Sequence, residues 1–176
     1  MTATGPAIAS FWLMPAPEDA QVLAAVVGEL AARFDAPVFA PHLTLAGDVP
    51  ADPAALSAPL AALAGATRPF KAKVADIVTG ASYFQSFYAL FERAGPVAAL
   101  KRAAIAAGLG GDAEGFVPHV SLLYGHPDEA AKRAAAQELR RALAGQTVTF
   151  DRIALTNSSQ TTPIADWRIV ASAPLG

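Results

Sequence analysis

The chain has 176 residues, the size of one domain or of one domain built from two similar lobes. Its residues are 53% hydrophobic and only 16% charged, which excludes a disordered chain and indicates a packed core. A net charge of −2 without a basic run argues against long nucleic acid as a partner, and the lack of cysteine excludes disulfides, thiolate metal sites and thiol nucleophiles.

In chain order, the apolar and aromatic run Ala7–Met14 reads as a first strand, closed by Pro15 and Pro17. Pro17-Glu18-Asp19 then opens a helix to about Phe34, with acids where the macrodipole favours them and an apolar stripe at Val22, Val26, Leu30 and Phe34. Asp35-Ala36-Pro37 breaks that helix, and a strand beginning at Pro41-His42-Leu43-Thr44-Leu45 follows. Asp52 suits the N-cap of a second helix over Pro53–Ala64, buried along Leu56, Leu60 and Leu63 and closed by Gly65. Phe70–Val78 alternates as a strand with one wet face.

The same order then recurs. Tyr83–Glu92 has high strand propensity, Pro96–Ala107 reads as a helix, and Pro118–Tyr124 is a strand carrying Pro118-His119-Val120-Ser121-Leu122. His126-Pro127 marks a turn. Asp128–Ala144 is a helix with Lys132, Arg133, Arg140 and Arg141 on its solvent side, Gln146–Leu155 a strand, Asn157–Pro163 a polar loop and Ala165–Ala173 a last strand. The two Pro-His-x-hydroxyl stretches lie 77 residues apart, and Ser10-Phe11 precedes His42 by about the span that separates Ser86-Phe87 from His119. A single domain over 1–176 with an internal duplication follows, its approximate halves being 7–78 and 83–155, with a final strand at 165–173. No basic region precedes the first apolar stretch and no apolar run is long enough to span a bilayer, so the expectation is a cytoplasmic monomer with no membrane partner.

The paired stretches carry the chemistry. In a strand, a histidine and a hydroxyl two positions on point to the same side. Two of the three histidines of the chain sit in this context, His42 with Thr44 and His119 with Ser121. If a pseudo-twofold axis brings them together, they form one site with two acid–base groups and two donors, facing one cleft. No H-x-x-x-H or H-E-x-x-H spacing is present, so neither metal nor cofactor is expected. None of the four side chains is expected to fill a core.

With these residues in hand, the sequence resembles the two-histidine phosphoesterase superfamily. Three further stretches are similar to its small cyclic phosphodiesterases of the plant and yeast type: Ser10-Phe11-Trp12-Leu13-Met14-Pro15, Tyr83-Phe84-Gln85-Ser86-Phe87-Tyr88-Ala89-Leu90-Phe91 and Pro118–Gly125. The resemblance implies an α+β, bilobal fold, with two pseudo-twofold-related lobes of mainly antiparallel sheet covered by helices and the active site in the cleft between them. It implies metal-free opening of a nucleoside 2′,3′-cyclic phosphate or of ADP-ribose 1″,2″-cyclic phosphate, a small-molecule substrate. His42, His119, Thr44 and Ser121 are then catalytic, and Tyr124, Trp12, Phe84 and Gln85 bind substrate. An imidazole with an ordinary pKa near ~6.5 serves as acid or base, and hydroxyls donate to charge growing on the phosphate. Either histidine suits either role, with His119 favoured for activating water and His42 for protonating the leaving oxygen. Two other readings stand beside this one: processing or ligation of RNA 2′,3′-cyclic phosphate ends, and a cyclic-nucleotide-binding protein without turnover.

Overall fold

The computed structural model describes residues 7–176. Seven strands and four α-helices follow one another as β1 (Ala9–Pro15), α1 (Pro17–Phe34), β2 (Leu43–Val49), α2 (Ser57–Gly65), β3 (Phe70–Thr79), β4 (Phe87–Phe91), α3 (Pro96–Ala106), β5 (His119–Leu123), α4 (Glu129–Leu143), β6 (Thr147–Thr156) and β7 (Ile169–Pro174). The strand order is β1-β2-β5-β4-β3-β6-β7, every pairing is antiparallel, and an additional β1–β6 pairing closes the first six strands into a ring. The architecture is α+β.

Exchanging β1 with β4, β2 with β5 and β3 with β6 maps the pairings of the ring onto themselves: β1–β2 becomes β4–β5, and β1–β6 becomes β4–β3. The helices obey the same exchange, since α1 packs on β5 while α3 packs on β2. The repeat visible in the sequence therefore extends to topology. It also has a form the sequence did not reveal, because the third strand of each half pairs with the first strand of the other. One lobe is β2-β1-β6-β7 and the other β5-β4-β3, with the start of β6 also joined to β3. Phe11 and Phe87, equivalent under the exchange, are both fully buried, as are Phe91 and Phe150.

Local signals explain most element ends. Pro17 starts α1, and Asp35 ends it in the left-handed conformation. Asp52 accepts a hydrogen bond from Ala54 N–H at 2.8 Å and opens a 3-10 turn, Pro53–Leu56, that leads into α2. Asp128 likewise caps α4 through Ala131 N–H, also at 2.8 Å.

Three expectations are corrected. The buried stripe of α1 is Leu23, Val27, Leu30 and Ala31, rotated by one position, and Val22 is 55% exposed. Lys132 is not on the solvent side of α4: it is 1% exposed, and its ammonium lies 2.7 Å from both Glu129 and the Gly80 carbonyl. The strand expected from Tyr83 begins only at Phe87, because Tyr83–Gln85 is a 3-10 turn. There the carbonyls of Tyr83 and Ser86 accept from Gly125 and Gly80 N–H, so loop contacts replace a sheet ladder. Gly80 is required at this reversal, since a Cβ on it would lie 2.2 Å from the Gln85 carbonyl oxygen. The turn tips Tyr83, Phe84 and Gln85 out of the sheet, and Lys132 pins its base. No helix among the described residues is long and apolar enough to cross a membrane.

Candidate active site

β2 and β5 meet at a single pair, Leu43 opposite Val120. In an antiparallel pair this sets His42 beside Ser121 and Thr44 beside His119, with the two histidines on a diagonal. Leu43 and Val120 point into the core and are fully buried, so the alternation of the strands turns all four motif side chains to the opposite face. That face floors a cleft of about 640 Å³. All eight residues singled out from the sequence line it: His42, Thr44, His119, Ser121, Trp12, Phe84, Gln85 and Tyr124.

Each motif proline has a local reason. It holds the chain extended, and the carbonyl two residues before each histidine then reaches the ring. His42 Nδ1 donates to Ala40 O and His119 Nδ1 to Val117 O, both at 2.7 Å. A carbonyl only accepts, so Nδ1 carries a proton in both rings and Nε2 is the nitrogen free for substrate. Trp12 and Tyr88 occupy equivalent places, opposite Thr44 and Ser121 in register. Trp12 stacks on His42 at 3.6 Å with planes 9° apart, and Tyr88 lies 4.9 Å from the His119 ring.

His42 and Ser121 are each only 4% exposed, so two of the four motif side chains are buried in the floor of the cleft. The burial of His42, partly offset by the Ala40 hydrogen bond and reinforced by repulsion from His119, lowers its pKa to about 4. His119 is less enclosed, and burial lowers its pKa as well. Ser121 Oγ donates to Phe84 O at 3.3 Å, a long bond, whereas the Thr44 hydroxyl has no protein partner among the described residues. Burial raises the pKa of Tyr124, which stays a neutral phenol stacked 4.0 Å from Phe39.

The aromatic residues are not equally open to the cleft. Trp12 is 4% exposed, with one face taken by His42 and Trp167 packed across it at 5.6 Å, so it builds the site and leaves little open face for a nucleobase. Phe84 remains partly open, 6.2 Å from Trp167 and 5.2 Å from Tyr124. Trp167 has no signal in the sequence, where it falls within the expected last strand. It instead follows a 3-10 turn, Ile164–Asp166, with its indole N–H donating to Thr162 O at 3.0 Å. Tyr88 was legible, since Ser86-Phe87-Tyr88 repeats Ser10-Phe11-Trp12. Ser158, Ser159 and Gln160 of the polar loop also reach the cleft, as do Ser10, Gly47 and Asp48. His126 does not line it and stands at the surface turn, near Tyr83. Among the described residues no group of three or more side chains is placed to hold a metal ion.

An antiparallel α+β ring in which two His-x-hydroxyl strands meet at one cleft defines a two-histidine phosphoesterase. The sequence model of the 2′-5′ RNA ligase superfamily matches residues 15–162, and the chain belongs to that superfamily. Two solved structures share its fold. LigT of E. coli complexed with 3′-AMP is 17% identical, covering 97% of this chain and 98% of its own with a TM-score of 0.57. The protein TT0787 of Thermus thermophilus is 21% identical, covering 96% and 97% with a TM-score of 0.59. No curated protein matches the sequence.

The buried histidines make a stability prediction. The folded protein holds His42 neutral down to about pH 4, whereas the unfolded chain takes up that proton near 6.5, so stability is present above 6.5 and is lost as pH falls toward 4. His42 alone accounts for a loss on the order of 3 kcal/mol. Melting temperature followed from pH 7 to pH 4 should fall in the wild type and fall less in His42→Gln.

Proposed function

We propose that this protein is a metal-independent cyclic phosphodiesterase that hydrolyses a nucleoside 2′,3′-cyclic phosphate or ADP-ribose 1″,2″-cyclic phosphate to a phosphomonoester. The observation that carries the reading is the diagonal pair of imidazoles with both Nδ1 atoms pinned and both Nε2 atoms left for substrate. Water attacks phosphorus as one Nε2 takes its proton. The bond from phosphorus to one ribose oxygen breaks, and the other Nε2 delivers a proton to that oxygen. Thr44 and Ser121 donate to the non-bridging oxygens, where charge develops.

Burial favours an assignment opposite to the one preferred from sequence. His42 has the deeper enclosure and the pKa lowered to about 4, which suits the base, and His119, less enclosed, is the ring that takes up an extra proton first, which suits the acid. The 3′-AMP in the E. coli LigT structure is a phosphomonoester of the kind this reaction releases. Processing of RNA ends fits less well, because among the described residues no lysine or arginine lines the cleft.

The test is turnover of the four nucleoside 2′,3′-cyclic phosphates and ADP-ribose 1″,2″-cyclic phosphate in excess chelator, with the product isomer identified. Turnover should persist without added metal. Both histidines titrate below their ordinary value, so the kcat/KM optimum should lie on the acid side of pH 6.5. Activity lost with chelator and restored by a divalent cation would point to a different mechanism.

A further inference from the structure

The electrostatics of the cleft restrict what a substrate can carry besides its cyclic phosphate. Among the described residues that line it, Asp48 is the one fixed charge. Three basic side chains on elements that carry the site do not line the cleft and have other partners. Lys132 is held by Glu129 and Gly80 O, Lys101 donates to Leu45 O at 2.8 Å, and the Arg168 guanidinium donates to Ala165 O and Trp167 O at 2.7 Å. Away from the catalytic histidines, a second phosphate entering the cleft finds a carboxylate and, among the described residues, no lysine or arginine.

Asp48 is held firmly. Its backbone is left-handed, with φ of 52°, a conformation that aspartate tolerates better than most residues. Its N–H donates to Ser10 Oγ at 3.2 Å, and its Oδ1 accepts from Gln160 N–H at 3.1 Å. Ser10 in turn donates to Ser158 O at 2.8 Å, so β1, β2 and the loop after β6 form one wall around the carboxylate. Asp48 Oδ2 has no partner among the described residues and is free to accept a hydrogen bond. A hydroxyl or an amino group can supply one, and an ionised phosphate cannot. Phe84, Tyr124 and Trp167 form a neutral aromatic cluster in the same cleft, which suits a nucleobase.

We propose that Asp48 makes this cleft selective for substrates whose cyclic phosphate is their only charged group: nucleoside 2′,3′-cyclic phosphates with a free 5′-hydroxyl, over those bearing a 5′-phosphate or a pyrophosphate. This rests on the phosphodiesterase reading and narrows it, setting ADP-ribose 1″,2″-cyclic phosphate, with its two further charges, among the poor substrates.

The matched probes are adenosine 2′,3′-cyclic phosphate and the same compound with a 5′-phosphate, which differ in that group alone. The wild type should prefer the 5′-hydroxyl form by about tenfold or more in kcat/KM at low salt, with the ratio shrinking as ionic strength rises. Asp48→Asn keeps an acceptor for Gln160 N–H and tolerates the left-handed backbone, and it should bring the ratio to within about threefold. A ratio near one in the wild type, or a ratio that Asp48→Asn leaves unchanged, overturns the inference while the hydrolase stands. Binding of adenosine 3′-monophosphate against adenosine 3′,5′-bisphosphate, measured by calorimetry, separates the two ideas. A bisphosphate bound about tenfold more weakly without any turnover of the cyclic compounds overturns hydrolysis and supports the role of Asp48.

Discussion

His42→Ala and His119→Ala should each lower kcat by about 10²–10⁴-fold, the range that positioned acid–base groups supply. The double variant should be little worse than the worse single one, because acid and base act in one step and fail together. The hydroxyls should follow with unequal losses. Thr44 has no protein partner to abandon among the described residues, so its donor is available to the phosphate, and Thr44→Val should cost up to about 10²–10³-fold in kcat. Ser121 divides its hydroxyl between the Phe84 carbonyl and the site, so Ser121→Ala should cost less. His42 is packed under Trp12, and its alanine variant should also melt lower. His42→Gln, which fills more of the space, separates lost chemistry from lost packing. A histidine variant with near wild-type turnover and an unchanged melting curve sinks the two-histidine mechanism and gives the lead to a binding protein without turnover.

The site was legible in the sequence to the extent that it is local. Pro-His-x-hydroxyl-apolar contains the strand, the alternation that sends histidine and hydroxyl to one face, and the proline that sets the carbonyl against Nδ1. The matched spacing of Ser10-Phe11 and Ser86-Phe87 exposed the duplication and, followed one residue further, would have given Tyr88 as the partner of Trp12. What depends on contacts distant in sequence was not legible. Nothing in the order of elements says that β6 pairs with β1 and β3 with β4, because a strand with one wet face fits either neighbour. Trp167 and the serines after β6 arrive through a loop that crosses the end of β1, a path no periodicity encodes. Lys132 looked solvent-facing because lysine usually is, and here a carbonyl of the Gly80 turn holds its ammonium inside.

Trp12 decides between two accounts of the cleft, and replacing it should have a large effect on chemistry. The resemblance puts it among the substrate-binding residues, and its removal would then raise KM with the pH profile unchanged. In the structure its indole covers the His42 ring at 3.6 Å, supplies part of the burial that keeps that imidazole neutral, and stands opposite Thr44. Trp12→Ala should therefore lower kcat by about 10²-fold through a misplaced imidazole, more than it raises KM. Losing so large a buried side chain should also cost about 3–5 kcal/mol of stability. Trp12→Phe keeps a ring and most of the packing, which makes it the cleaner probe. With His42 less covered, its pKa should rise from about 4 toward the ordinary value, and the acid limb of the kcat/KM profile should move to higher pH in step. A Trp12→Phe enzyme whose acid limb stays in place while KM alone climbs would assign the indole to the base, and the burial of His42 would then need another source.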